Sequence, residues 1–395
     1  MDNNKALVLK AKPGVKFHNG EVLNAEQLKF NFDRNLGRAA YNPKYGAGFK
    51  SQFVTIGDIS IVDEMTVRLE MLTPDVVLPY KIAASLWMVP KNYVAQVGDA
   101  AFAAAPVGIG PFKFVSRVPD SQIKSVRDDG FFYGRDQKYG PRLPWIQNLN
   151  QRVIPEDAAR IAALEKGEID IAHNVSADFA KSFAGKSGFT VYSLPGDQPM
   201  HIHINTVVEK GLDGGPNPWR DVRVRKAANM AIDLDTIIKT LLTGKEARSY
   251  GSANRSVGFP KDLQSKQFKY DPNGAKALLA QAGFASGFET NFYYPTGRWP
   301  NTEQVVQAIA SYLDKIGIKA KIQSQQYGVT TTAFKSRSND GLTFWGMSGG
   351  ADPNSNFRNG TYSGGGFTMS YDPALGLDDL ITKSEGIFDA AQRHS

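Results

Sequence analysis

Apolar positions along this chain follow two periods. Some stretches alternate every second residue, and others repeat at three- and four-residue spacing, so strands and amphipathic helices interleave. Ile59-Ser60-Ile61-Val62 and Thr66-Val67-Arg68-Leu69-Glu70 flank Asp63-Glu64 and predict a hairpin. Leu7-Val8-Leu9, a turn at Pro13-Gly14 and Val15-Lys16-Phe17 predict two short β runs, and Pro111-Phe112-Lys113-Phe114-Val115 predicts another. Ile318-Lys319-Ala320-Lys321-Ile322 alternates strictly, which suits a strand with one wet face.

The helical stretches carry stop and start residues. Pro155 suits a first turn, Ile161 and Leu164 share a side, and Gly167 supplies a left-handed stop. Asn301 is placed to cap a helix with Gln304 as reciprocal partner. Val305, Ile309, Leu313 and Ile316 then repeat at helical spacing up to Gly317. A further unit runs from Asp271-Pro272 through Ala275, Leu278, Leu279 and Ala282 to Gly283. Alternating β and α units predict layered α/β architecture. The run Gly211 to Pro218 is rich in Gly and Pro and predicts a surface loop. It follows a strand, Met200-His201-Ile202-His203-Ile204-Asn205, and a lobe boundary is expected near Pro195–Pro199. No internal repeat or low-complexity tract stands out.

Composition narrows the function. The 395 residues, 42% of them hydrophobic, suffice for a large core and more than one domain. No run of about 18 consecutive apolar residues occurs, so no membrane-spanning helix is expected. Met1-Asp2-Asn3-Asn4 lacks a basic and apolar leader, so any signal peptide is expected to have been removed, or the chain to begin internally. The 46 basic and 39 acidic residues are interleaved, as in Glu165-Lys166-Gly167-Glu168. The densest basic group, Arg220, Arg223, Arg225 and Lys226, is interrupted by Asp221 and reads as a helix start. The net charge of +7 therefore describes a dispersed basic surface rather than a nucleic-acid stripe. With no cysteine, disulfides, thiolate nucleophiles and Cys-ligated metals are excluded.

Three groups of residues invite a chemical reading. Gly346-Met347-Ser348-Gly349-Gly350 matches the G-x-S-x-G nucleophile elbow, which needs a strand turning sharply into a helix. Leu342–Trp345 would be the strand. However, Ala351-Asp352-Pro353-Asn354-Ser355 reads as a loop, and the only later histidine is His394. A glycine-rich turn lining a cleft competes with a serine hydrolase built on Ser348. His201 and His203 lie two apart on one strand face, so they could converge on a metal. No third ligand is obvious, since His18, His173 and His394 lie far away, and hydrogen bonding near a hinge is the competing role. Asp233/Asp235 opens a helix, and Asp378/Asp379 sits on a solvated face. Neither pair has the contrasting environments of an acid–base dyad.

Aromatic and small polar residues concentrate late in the chain: Tyr293, Tyr294, Arg298 and Trp299, then Phe344, Trp345, Ser348, Asp352, Asn356, Phe357 and Arg358. Rigid aromatics beside flexible glycines suit a cleft for a polar or amphipathic ligand. Core packing is the alternative for any single one of them.

Several motifs resemble the family 5 extracellular solute-binding proteins of ABC importers, the dipeptide, oligopeptide and nickel type. They are Pro13-Gly14-Val15-Lys16-Phe17-His18-Asn19-Gly20-Glu21 with Asn24-Ala25-Glu26-Gln27-Leu28-Lys29-Phe30 and Arg34, then Pro106-Val107-Gly108-Ile109-Gly110-Pro111-Phe112-Lys113-Phe114. Arg152-Val153-Ile154-Pro155-Glu156 and Ala163 to Ile171 follow, then Asp221 to Ala227 with Ala231-Ile232-Asp233. Tyr270-Asp271-Pro272, Ala275 to Leu279, Leu313, Ile316-Gly317-Ile318 and Asp352-Pro353 complete an ordered series across nearly the whole chain.

The resemblance implies a two-lobed, periplasmic-binding-protein-like α/β fold of the type II, large peptide-binding kind. The first lobe is expected at 1–199, with an extra subdomain near 21–105, and the second at 200–395. It implies a ligand enclosed by lobe closure, delivery to an ABC permease in the membrane, a periplasmic or cell-surface setting and no catalysis. No cofactor, metal or nucleic acid is expected, and the protein is expected to act as a monomer. The family motif starts at residue 14 and the last residues read as helix, so the chain is expected to be truncated at both ends, lacking the C-terminal return to the first lobe. Peptide-binding relatives place an acidic residue shortly before the Asp-Pro pair, where this chain has Gly349, Gly350 and Ala351. A peptide ligand therefore rests on the resemblance, and opines, sugars, glutathione-like thiols and metal chelates stay open. The expected ligand contacts are Trp345, Ser348 and Asp352, faced by Tyr294, Arg298 and Trp299, with His203 and Asn205 from near the hinge. In that arrangement the aromatics sandwich the ligand, Asp352 attracts a cation and Arg298 pairs with a carboxylate.

Overall fold

The computed structural model describes residues 5–38, 50, 52–131, 144–193, 198–242, 244, 246, 248–249, 262, 266–347, 352–371, 373–389 and 392. The chain divides into two compact units, 1–154 with 385–389, and 155–384 with 390–395. From the sequence, the division is expected at 199/200. The difference arises because 155–183 is tied into the second unit: the Ala177 amide donates to Asn301 Oδ1 at 3.3 Å and Lys181 Nζ to the Leu242 carbonyl at 3.4 Å. Residues 385–389 cluster with the first unit.

In the first unit, β1 (Ala6–Lys10), β2 (Ile56–Ile61) and β3 (Thr66–Met71) form an antiparallel sheet in the order β1-β3-β2. The predicted hairpin is the β2–β3 pair, its turn held by the Met65 amide on Asp63 Oδ1 at 2.8 Å. Helix α1 (Ala25–Leu36) starts where Asn24 accepts the Gln27 amide at 3.0 Å, and Gly37, at φ +67°, ends it in a conformation that disfavours a Cβ. Phe32 of α1 joins Phe53, Val67 and Leu69 in a fully buried core. Helices α2 (Leu78–Ser85) and α3 (Lys91–Ala104) follow, α3 being bent at Gly98. Beyond them β4 (Phe112–Val118), β5 (Gln122–Arg127) and β6 (Asn148–Arg152) form a second antiparallel sheet in which no residue is buried.

A charged triad is enclosed in this unit. Lys81 Nζ, on a side chain only 2% exposed, lies 2.9 Å from both Asp75 Oδ2 and Glu385 Oε1. Asp75 also accepts the Thr55 hydroxyl at 2.7 Å and the Val77 amide at 3.1 Å. A buried cation bridging two hydrogen-bonded carboxylates is tolerated because each charge has partners.

The second unit begins with α4 (Asp157–Glu165) and α5 (Ala177–Phe183). Its sheet contains β7 (Met200–Ile204), β8 (Phe288–Pro295), β9 (Ile318–Gln325) and β10 (Leu342–Gly346), in the order β7-β10-β8-β9. β8 runs parallel to β9 and β10, and β7 is antiparallel to β10. Parallel pairs need crossover helices. α9 (Thr302–Asp314) joins β8 to β9, and α10 (Tyr327–Lys335) joins β9 to β10. α6 (Val222–Ala231), α7 (Leu234–Leu241) and α8 (Pro272–Gln281) carry acidic caps: Asp221, Asp233 and Asp271 each accept a first-turn amide. α11 (Asn354–Gly360) and α12 (Leu377–Glu385) follow β10.

One face of this sheet builds the main core: Phe292, Tyr294, Ile318, Leu342 and Phe344 pack with Val306 and Leu313 of α9 and with Val224 and Leu279. Asn301 does not cap α9 as predicted. Its backbone is left-handed at φ +55°, and its side chain reaches Ala177 instead.

Candidate functional site

Strand alternation decides which residues can meet on the other face of the sheet. Across the β7–β10 ladder His201 pairs with Trp345 and His203 with Thr343, so these four share one face, while Ile202 packs against the core on the opposite face. Trp345, 4% exposed, packs with Phe334 of α10, Met347 and Met369. Its ring lies 5.4 Å from Tyr327 (stacked, 9°), 5.3 Å from Phe334, 5.6 Å from Trp299 (82°) and 6.0 Å from Phe367.

The rim of this cluster is polar and cationic. Arg298 lies exposed in the turn after β8, its guanidinium 5.6 Å from the Trp299 ring centroid and 5.1 Å from that of Tyr327. Tyr327 itself is 42% exposed. Among the described residues no carboxylate pairs with Arg298. The guanidinium is thus oriented by two π faces while its N–H donors stay available for an anion. The half-buried Trp299 ring stands on edge over Trp345, and its indole N–H donates to Gln198 Oε1 at 2.8 Å.

Beneath the rim, His201 and His203 meet edge to face at 5.4 Å, and His203 meets Phe334 at 4.8 Å. Neither Nε2 has a hydrogen-bond partner among the described residues. Burial pushes His201 down to about 4; burial and then the neighbouring His201 push His203 down to about 3. Both rings are therefore neutral near pH 7. Among the described residues no group of three or more His, Asp or Glu is placed to hold a metal, so the alternative of a metal on this pair gains no third ligand.

The expected site residues thus divide. Arg298, Trp299 and Trp345 come together, and His203 borders the cluster through Phe334. Trp345 is the buried hub, so a free ring face for sandwiching a ligand is missing there. Tyr294 lies on the opposite face of the sheet in the main core, because β8 turns Phe292 and Tyr294 to the same side. Burial raises its hydroxyl above the usual phenol value. Asn205 is fully buried: its amide donates to the Arg337 and Asn339 carbonyls at 3.0 and 2.8 Å and accepts from the Val207 and Val208 amides at 3.0 and 3.2 Å. All four of its hydrogen-bonding positions are used, so it clamps a turn. Asp352 is 5% exposed, and its Oδ1 accepts the Asn354 amide at 2.9 Å just ahead of α11, an Asx-type turn. Ser348 lies outside the described residues, as do His394 and the rest of the glycine run after Met347. Tyr327, Phe334, Phe367 and Gln198 were not anticipated, being scattered singly in the sequence.

The family model for bacterial extracellular solute-binding proteins, family 5 Middle, matches residues 1–369. The chain belongs to that family. It is 27% identical over 322 residues to the glutathione-binding protein GsiB of Pectobacterium atrosepticum, covering 81% of this chain and 58% of that one. It is 28% identical over 351 residues to the dipeptide-binding protein of Escherichia coli, covering 83% and 62%. The chain therefore spans about three fifths of the length of these relatives. Among solved structures, it superposes on AgaA of A. tumefaciens R10 in complex with agropinic acid at TM-score 0.82 and 26% identity, covering 100% of this chain and 76% of that one. It superposes on the periplasmic binding protein DppA of Helicobacter pylori, in complex with peptide STSA, at TM-score 0.84 and 22% identity, covering 100% and 77%. The α/β, periplasmic-binding-protein-like fold expected from the sequence is the fold of these structures.

Proposed function

We propose that this chain is the solute-binding component of an ABC importer, holding a small carboxylate-bearing, peptide-like solute and presenting it to a membrane permease. The family match through residues 1–369 carries this reading. The proteins it resembles are named for glutathione and dipeptide, or are seen with a peptide and agropinic acid, all of them small acids. Arg298, without a carboxylate partner among the described residues and fixed against Trp299 and Tyr327, has the chemistry to pair with such an acid. Trp299 and Tyr327 supply the apolar platform beside it, with Trp345 beneath as support. The protein binds without catalysis, as a monomer, in the periplasm or at the outer cell surface where the family works. Hydrolysis at Ser348 has no comparable support, because the family match assigns the glycine-rich turn to a binding protein.

Native and denaturing mass spectrometry on protein purified without added solute tests this. An extra mass present only in the native spectrum, fragmenting as a small carboxylate compound, is the expected result. A bare chain that also takes up no dipeptide, glutathione or opine on addition overturns the reading.

A further inference from the structure

Gln198 precedes β7, and its side chain is held at both ends. Oε1 accepts the indole N–H of Trp299 at 2.8 Å, and Nε2 donates to the carbonyl of Gly346, the last residue of β10, at 3.2 Å. Between these ends its aliphatic part lies directly on Gly346. A Cβ added at Gly346 would sit 3.0 Å from Gln198 Cγ, 3.1 Å from its Cδ and 2.7 Å from Met200 Sδ. The adjoining main chain is joined as well, the Met347 amide donating to the Pro199 carbonyl at 3.2 Å. Glycine at 346 is thus what lets the amide cross the end of β10 and reach the indole.

We propose that Gln198 is a positioning residue for the Arg298–Trp299 ligand-binding group, clamping the indole to the end of β10 and so fixing the platform under the Arg298 guanidinium. This role rests on the reading that the chain binds solute through that group. The indole has one N–H and no acceptor, so a single bond sets which way the ring edge points. The edge-to-face contact with Trp345 limits tilt, while the Gln198 bond limits rotation of the ring in its own plane. Loss of the clamp leaves Arg298 still stacked on Tyr327 at 5.1 Å, so affinity should fall partially and not vanish.

Three variants separate the contributions. Gln198→Leu removes both ends of the clamp. Gln198→Glu keeps an acceptor for the indole but turns the other end from donor to acceptor against the Gly346 carbonyl. Trp299→Phe removes the N–H together with part of the ring, and its missing resonance assigns the indole signal. In protein labelled with ¹⁵N at tryptophan, the Trp299 indole proton is expected to exchange slowly in the parent and in Gln198→Glu, and quickly in Gln198→Leu. In calorimetric titration with glutathione and a dipeptide, Gln198→Leu is expected to weaken binding roughly threefold to tenfold, as for loss of one hydrogen bond. Adding Trp299→Phe to Gln198→Leu is expected to cost less than it does in the parent, because the two act as a unit. Indole exchange unchanged in Gln198→Leu, or parent-like affinity in that variant, overturns the proposal. A parent chain that binds neither solute removes the ligand role through the titration alone, and the exchange result then shows whether the clamp itself exists.

Discussion

Replacing Trp345 by alanine removes the hub of the aromatic cluster in the second unit. The side chain is 4% exposed and meets Tyr327, Phe334, Trp299 and Phe367, all with ring centroids within 6.0 Å. Deleting a fully packed tryptophan costs about 3–5 kcal/mol, the transfer of the lost surface plus the cavity left behind. Four ring neighbours place this site toward the upper end, since each aromatic pair is worth about 0.5–1.5 kcal/mol beyond burial. The cavity would be lined by rings held on α10, the turn after β8 and the segment between α11 and α12, elements that cannot all close inward together. Urea unfolding followed by far-UV circular dichroism reads the change, with Trp345→Phe as a partial filling expected to fall between parent and alanine. A loss below about 1 kcal/mol, the range of ordinary surface changes and mild substitutions, would refute the packing argument. A ligand-sandwiching Trp345 would instead give lost affinity with stability intact.

Three further outcomes follow from buried groups in the two units. His201 and His203 titrate near 4 and 3 instead of 6.5, so between those limits the unfolded chain binds more protons and stability falls as pH falls. The urea midpoint is expected to drop on going from about pH 7 to about pH 4, each unit of depression being worth about 1.4 kcal/mol; His203→Phe should flatten that slope, and an equally steep slope in the variant would contradict the assignment. Lys81→Met leaves Asp75 and Glu385 facing each other without the cation that bridges them, at a cost of about 3–5 kcal/mol, measurable as a lower unfolding midpoint. Gly346→Ala drives a methyl against Met200 Sδ and Gln198 Cγ, and overpacking of this kind costs about 1–3 kcal/mol, readable by thermal unfolding.

Local periodicity made much of the fold legible. The Ile59–Glu70 hairpin, the alternating β9 and the capped α8 follow from near neighbours in sequence, and each is found where the pattern places it. Asn301 shows where that logic fails: its side chain bonds to Ala177, far away in sequence, and a tertiary partner outweighs the local cap. The site was partly legible for a similar reason. Arg298 and Trp299 adjoin a strand end rich in aromatics, which marks a surface turn with a binding character. Tyr294 falls on the core face of β8; because Phe292-Tyr293-Tyr294 is aromatic on both faces, no alternation says which ring points into the core. Asn205 is a polar side chain at an element end, and sequence does not distinguish a polar group that meets a ligand from one that bonds the surrounding backbone. The partners that complete the cluster, Tyr327, Phe334 and Phe367, come from α10 and from the segment before α12. Their contacts with Trp345 are tertiary and follow no local period.

Arg298 is the proposed receiver of a solute carboxylate, and calorimetric titration of the parent and Arg298→Ala with the same small acid tests that role most directly. A charge-assisted hydrogen bond contributes about 1.5–3 kcal/mol, so Arg298→Ala is expected to bind about tenfold or more weakly. Its unfolding midpoint should match the parent's, because the side chain is exposed and packs only on two ring faces. Parent-like affinity in Arg298→Ala, or the absence of saturable binding by any carboxylate-bearing solute in the parent, would contradict it.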